Sequence, residues 1–156
     1  MDYVDGQLVE RHVGEHFHSR MQMLIAVALQ IRSRERRFRV FVEQRVLVST
    51  QPKPGYRIPD VCVKALPYHV TPVLERPDLA IEVLSPDDTP DEMLERIADY
   101  LRAGVPHIWI VDPYKQKVFE AGSTGIQAAP ERILRTDLVG DFDFRPLFQE
   151  LYEPTE

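Results

Sequence analysis

Cysteine occurs once in this chain, at Cys62, so no intrachain disulfide can form and the fold has to be held by its core. A lone cysteine suits a reducing compartment, and the cytoplasm is the expected location. Long apolar runs are missing as well. The longest, around Met21 to Ile31, is interrupted by Gln22 and Gln30 and falls short of the roughly 20 residues a bilayer span needs, so no membrane segment is expected. The opening MDYVDGQLVE is acidic and lacks the basic-then-apolar order of a secretory signal. There is no glycine-rich phosphate loop, no Gly-x-Ser-x-Gly turn and no cysteine pair for zinc. His12, His16 and His18 lie close together, but without a supporting cysteine their spacing is weak evidence for a zinc site. An excess of positive charge is absent too. With 19 Lys and Arg against 25 Asp and Glu the net charge is −6, which speaks against a broad, non-specific nucleic-acid surface. One local basic run remains, Arg32-Ser33-Arg34-Glu35-Arg36-Arg37. It reads either as a nucleic-acid contact through Arg32, Arg34, Arg36 and Arg37 or as a solvated helix end, where cations are favoured.

What is present suits one globular domain over 1–156: ordinary hydrophobic content, 44%, and no repeat. Asp5-Gly6 between short extended segments predicts an N-terminal hairpin. A helix is expected from about Gly14 to Ser33, with Phe17, Met21, Leu24, Ala28 and Ile31 on its apolar face. Arg39 to Ser49 and Arg57 to Lys64 read as strands, and the proline-rich stretch from Pro67 to Pro77 as a loop. Asp78 to Leu84 is a nearly continuous apolar run, suited to a strand covered on both faces. Thr89, Pro90 and Glu92 form a capping box for a second helix, with Leu94, Ile97, Ala98 and Leu101 facing the core and Gly104 ending it. His107 to Asp112 and Lys117 to Ala121 follow as paired strands, then strand-like pieces near Ile126 and Ile133 and a helical piece near Pro146 to Leu151. The order predicts an α/β or α+β fold, with a twisted mixed central sheet flanked by two main helices.

Glu82 lies in the middle of an apolar strand, where an ionised carboxylate costs several kcal/mol unless it is paired or binds a metal. A structural salt bridge to Arg45, Arg57 or Arg96 is one explanation. Asp60 offers another. Two acids 22 positions apart, each in its own apolar strand, suit a hard cation with oxygen ligands. Cys62, flanked by valines, reads as a small buried residue, and Trp109 as core or interface.

Several motifs occur in a telling order: Ile58-Pro59-Asp60-Val61, then Pro77-Asp78-Leu79-Ala80-Ile81-Glu82-Val83-Leu84-Ser85-Pro86, then Tyr100 and Ala103-Gly104-Val105-Pro106, then Trp109-Ile110-Val111-Asp112-Pro113. Together with Asp5-Gly6-Gln7-Leu8-Val9-Glu10 ahead of a histidine-bearing helix, they resemble the Uma-type restriction endonuclease family of the PD-(D/E)XK nuclease superfamily. The resemblance runs from about Tyr3 to about Glu120. It implies a restriction-endonuclease-like fold and Mg²⁺-dependent (or Mn²⁺-dependent) hydrolysis of DNA. It further implies that Asp60 and Glu82 bind the metal, that the backbone carbonyl of Val83 can add a ligand, and that Glu15, His16 or His18 on the first helix joins the site. For those three the competing explanation is an exposed polar residue or a charge favoured by the helix dipole. The superfamily's lysine, two residues after the second acid, is Leu84 here. In Uma-type relatives the basic residue comes instead from the next helix, four residues before the tyrosine matched by Tyr100, which is Arg96. Arg96 can orient phosphate, with Tyr100 one turn further on to orient it, but a guanidinium cannot act as a general base. A bridge from Arg96 to Glu92 is the structural alternative. A nuclease-fold protein that binds without cutting is the rival function, and a homodimer is the assembly the sequence leaves open.

Overall fold

The computed structural model describes residues 2–4, 7–9 and 14–154. Strands β1 (Asp2–Val4) and β2 (Gln7–Val9) pair antiparallel, with Tyr3 opposite Leu8. This is the expected hairpin; its Asp5-Gly6 turn lies outside the described residues. Helix α1 (Gly14–Arg36) runs three residues past the expected end, through the helix-favouring Arg34-Glu35-Arg36. It stops where Arg37 turns left-handed (φ 55°) and its N–H bonds Ser33 O at 3.0 Å. The buried stripe is Met21, Leu24, Ile25 and Leu29, while Ile31 is 70% exposed, so the expected apolar face is rotated away from Ile31.

Each of the two strands expected next is broken in two. Arg39 to Ser49 becomes β3 (Phe38–Val42) and β4 (Val46–Ser49), because Glu43 adopts φ 51° and turns the chain out of the sheet. Arg57 to Lys64 becomes β5 (Gly55–Arg57) and β6 (Val61–Ala65), parted by Ile58-Pro59-Asp60, where proline has no N–H for a ladder. The breaks meet: Glu43 N–H bonds the Asp60 carbonyl at 3.2 Å. The proline-rich loop holds the two-residue β7 (Leu74–Glu75), parallel to β4 in a small sheet of order β5-β4-β7.

Strand β8 (Leu79–Val83) is buried at every residue, as its apolar run requires. Helix α2 (Pro90–Arg102) starts at Thr89, whose hydroxyl accepts the Glu92 N–H at 3.2 Å. Its buried positions are Met93, Ile97 and Tyr100; Leu94 and Ala98, expected in the core, are exposed. Then come β9 (Ile108–Asp112), β10 (Lys117–Gly122), β11 (Gly125–Ala128), β12 (Ile133–Thr136), β13 (Gly140–Asp143) and a third helix, α3 (Arg145–Leu151).

The central sheet has the order β11-β10-β9-β8-β6-β3 and is mixed: β8 and β9 are parallel, the other neighbours antiparallel. Alternation along the strands divides the core. Val61, Val63, Ile81, Val83, Trp109 and Val111 pack with α1 and α3 on one face, which makes Trp109 core rather than interface. Ala80, Ile108, Ile110 and Ala121 pack under α2 on the other. At roughly 1.5–3 kcal/mol for each large side chain removed from water, both layers are needed to hold a sheet that no disulfide ties.

Candidate active site

Asp60 ends the irregular Ile58-Pro59-Asp60 stretch before β6, and Glu82 is the fourth residue of β8. Val61 pairs with Ile81 and Cys62 with Ala80, so one further step sets Asp60 opposite Glu82. Both line a cleft of about 380 Å³ together with His18, Arg57, Val83, Asp88, Arg96 and Tyr100. The expected residues Asp60, Glu82, Val83, Arg96, Tyr100 and His18 therefore meet in one place. Glu15 and His16 do not line the cleft.

Asp60 uses both carboxylate oxygens. Oδ2 accepts the Val83 N–H at 2.7 Å, which ties the acid to the strand bearing Glu82. Oδ1 lies 3.1 Å from His18 Nε2. That contact raises the His18 pKa, outweighing partial burial, and the charge on Glu15 adds a smaller push. Glu82 is 3% exposed. Its Oε1 accepts the Tyr100 hydroxyl at 2.5 Å, and its Oε2 lies 3.7 Å from Arg96 Nη1. Burial first, then the charge of Asp60, push its pKa up to about 8, against the pull of Tyr100 and Arg96. The Tyr100 phenol is raised as well, by its own burial and by Glu82.

Arg96 answers Glu82 and Asp88 rather than Glu92; its Nη2 donates to Asp88 Oδ1 at 3.2 Å. Burial opposes the charge on the guanidinium, and the two carboxylates outweigh it. Arg57 is committed to Asp99 at 2.7 Å, so it is not the partner of Glu82. Asp88 was not anticipated from the sequence. Its Oδ2 accepts the Ser85 N–H at 2.9 Å, closing the turn that leads from Glu82 to α2, while Oδ1 fixes Arg96. The acid-rich Ser85-Pro86-Asp87-Asp88-Thr89 turn, between the second acid and the helix bearing Arg96, was the available signal. Cys62 is fully buried, with its thiol pushed up to about 12, and brings no nucleophile to the cleft.

Two facing carboxylates are a hard-oxygen donor set. Among the described residues no group of three or more His, Cys, Asp or Glu side chains is arranged to hold a metal ion alone. That excludes an all-side-chain cage there, but it fits Mg²⁺, which is held by one or two carboxylates with water and substrate phosphate supplying the rest. The charge balance fits as well. Glu82 resists ionisation because it is buried beside Asp60, and a divalent cation between them would offset both effects.

Two members of the basic run, Arg32 and Arg36, have contacts within the fold, while Arg34, Arg36 and Arg37 are exposed. Arg32 donates to the carbonyls of Val139 (3.0 Å) and Asp141, with its guanidinium 5.2 Å from the centre of the Phe142 ring. Arg36 reaches the Asp137 carbonyl at 3.4 Å, and Arg37 forms the left-handed helix end. These contacts dock α1 onto the β12–β13 hairpin, a structural job the sequence did not reveal. No described helix is long and apolar enough to cross a membrane.

Comparison with known proteins identifies a family and a shared fold. The family model Uma2, described as "Putative restriction endonuclease", matches residues 1–137, and the chain belongs to that family. Among solved structures, "a putative nuclease belonging to DUF820" from Anabaena variabilis superposes with a TM-score of 0.73 at 22% identity, covering 96% of this chain and 89% of that one. It shares the mixed α/β fold described above. No curated protein matches.

Proposed function

We infer that the protein is a divalent-metal-dependent DNA endonuclease that hydrolyses phosphodiester bonds in the cleft between β6, β8 and α2. The observation that carries this is the pairing of Asp60 with a Glu82 only 3% exposed, both lining one cleft with Arg96. Family membership supports the same chemistry. Asp60 and Glu82 would hold Mg²⁺, or Mn²⁺ in its place, with the Val83 carbonyl as a backbone donor, and such an ion would supply polarisation of the scissile phosphate and a lowered pKa for the attacking water. Tyr100 fixes one oxygen of Glu82. His18 holds one oxygen of Asp60, and the charge of Glu15 adds to the rise in the His18 pKa. Arg96, positioned by Asp88, steadies the phosphate and the charge that builds on it.

Plasmid incubated with Mg²⁺ or Mn²⁺ should be cleaved by the native protein and not by Asp60→Ala or Glu82→Ala. Arg96→Ala should lower the rate roughly 10²-fold or more while metal binding persists. Equal cleavage by all four proteins would sink the assignment. Leu84, standing where the superfamily carries lysine, favours a second reading: a nuclease-fold module that holds nucleic acid without cutting it. Calorimetry separates the two, because an enzyme loses Mg²⁺ or Mn²⁺ binding on Glu82→Ala, whereas a silent module has none to lose.

A further inference from the structure

A second cleft, of about 490 Å³, opens beside the first, and Asp88 lines both. Strand register explains how they join. Glu82 pairs with Ile110, and Ile110 with Phe119, so the three side chains stand in a row on the α2 face of the sheet. Two strand spacings, about 10 Å, separate the carboxylate from the ring. Leu84, just past the end of β8 and packed on the same α2-face cluster, forms one wall. Leu94 on α2 and Ile126 on β11 form the rim, 53% and 44% exposed. Phe119 is partly buried and stacks on no other ring among the described residues. An apolar cleft kept open next to a polar site marks a place where something binds.

The charges of the cleft narrow the occupant. Its charged lining residues are Lys115 and Asp88, one of each sign, and Asp88 is already paired with Arg96. Such a lining suits a neutral, flat group better than a second phosphate. A strand whose phosphate lies at Asp60 and Glu82 carries one such group within about 10 Å, its own nucleobase. A base paired in a duplex cannot enter, because its faces are stacked and its edge is occupied; only an unpaired or extruded base can.

We propose that the cleft floored by Ile110 and Phe119 receives an unpaired nucleobase of the strand being cut, so that the substrate is single-stranded or locally melted DNA. The base stacks on Phe119 between Leu84 and Leu94, and Lys115 meets the neighbouring backbone. This rests on the nuclease reading above and specifies the form of DNA that its site accepts.

The test is fluorescence anisotropy with a short labelled DNA strand and with its duplex, using the full chain in Ca²⁺ buffer. The native protein should bind the single strand at least roughly tenfold more tightly than the duplex. Phe119→Leu, which keeps apolar volume but removes the ring, should weaken single-strand binding by roughly 5- to 100-fold, in line with the loss of one base–aromatic stack. Leu94→Gln, at an exposed position, should weaken it in the same direction with an unchanged melting temperature. A strand containing 2-aminopurine should change fluorescence on binding the native protein and not on binding Phe119→Leu. Equal binding of the two DNA forms, or variants that bind the single strand like the native protein, overturns the proposal. The two levels separate cleanly. Single-strand binding through Phe119 with no cleavage by the native protein overturns the nuclease reading alone. Cleavage that is indifferent to strandedness and to Phe119→Leu overturns the base cleft alone.

Discussion

Glu82 shows how one buried oxygen pair ties stability to pH. Its carboxyl titrates near 4.5 in an unfolded chain and is pushed up to about 8 in the folded one, chiefly by burial and by the charge of Asp60. Between those values the folded protein holds a proton that the unfolded chain has released. In metal-free buffer its contribution to stability is therefore intact below about 4.5 and is lost as pH rises toward about 8. His18, raised by its contact with Asp60, acts in the same direction, since the stability it lends is present at low pH and lost as pH rises through its folded value. Glu82→Gln keeps the shape and the Tyr100 contact but removes one of these titrations. Thermal melts without metal should show the difference between Glu82→Gln and the native protein growing from pH 5 to pH 8 in favour of the variant. Each kcal/mol corresponds to roughly 2–4 °C in a chain of this size. A gap that closes or reverses as pH rises would mean that Glu82 is ionised at no cost.

At the scale of elements, helix ends and strand breaks hold the site. Helix α2 ends at Gly104, whose φ of 85° suits glycine, and a Cβ there would meet Arg76 Nε at 3.4 Å. Gly104→Ala should cost about 1–2 kcal/mol in a denaturant titration, while Arg37→Gly, at the left-handed end of α1, should gain a similar amount. An unchanged midpoint in both would remove the helix-end argument. The sequence made the helices and β8 legible because each carries its own signal: apolar periodicity, a Thr-Pro cap, an unbroken apolar run. It hid the break at Glu43, because a left-handed non-glycine residue is set by tertiary pairing rather than by local propensity, whereas Pro59 carried a local signal for the second break. Glu82 could be found as an acid inside an apolar strand, and Asp60 as an acid next to one, although Asp60 lies in the break before β6 and not in the strand as expected. Asp88 could not, since its role depends on a turn folding back against Arg96. Leu94 misled for a related reason: helical spacing places it near the core stripe, yet the sheet beneath it opens into the second cleft.

At the scale of the whole molecule, a net charge of −6 coexists with a function on a polyanion, and the cleft suggests how. Glu82 and Asp88 share the Arg96 guanidinium there and Asp60 faces His18, so a divalent ion bound at the two carboxylates would relieve the burial and repulsion that keep Glu82 protonated. Metal binding should therefore act as a folding ligand as well as a requirement for cleavage. At about one hundred times its dissociation constant, Mg²⁺ or Mn²⁺ should add about 2.7 kcal/mol, or on the order of 5–11 °C in melting temperature. The gain should be larger at pH 8 than at pH 6, because protons on Glu82 and His18 compete with the ion at the lower pH. Glu82→Gln and Asp60→Ala should lose most of it. Na⁺ at matched ionic strength provides the control, since simple screening of the surface acids would stabilise the native protein and both variants alike. Equal gains from Na⁺ and Mg²⁺, or an undiminished Mg²⁺ gain in Asp60→Ala, would place the benefit on the general surface charge and leave the two carboxylates as a structural pair.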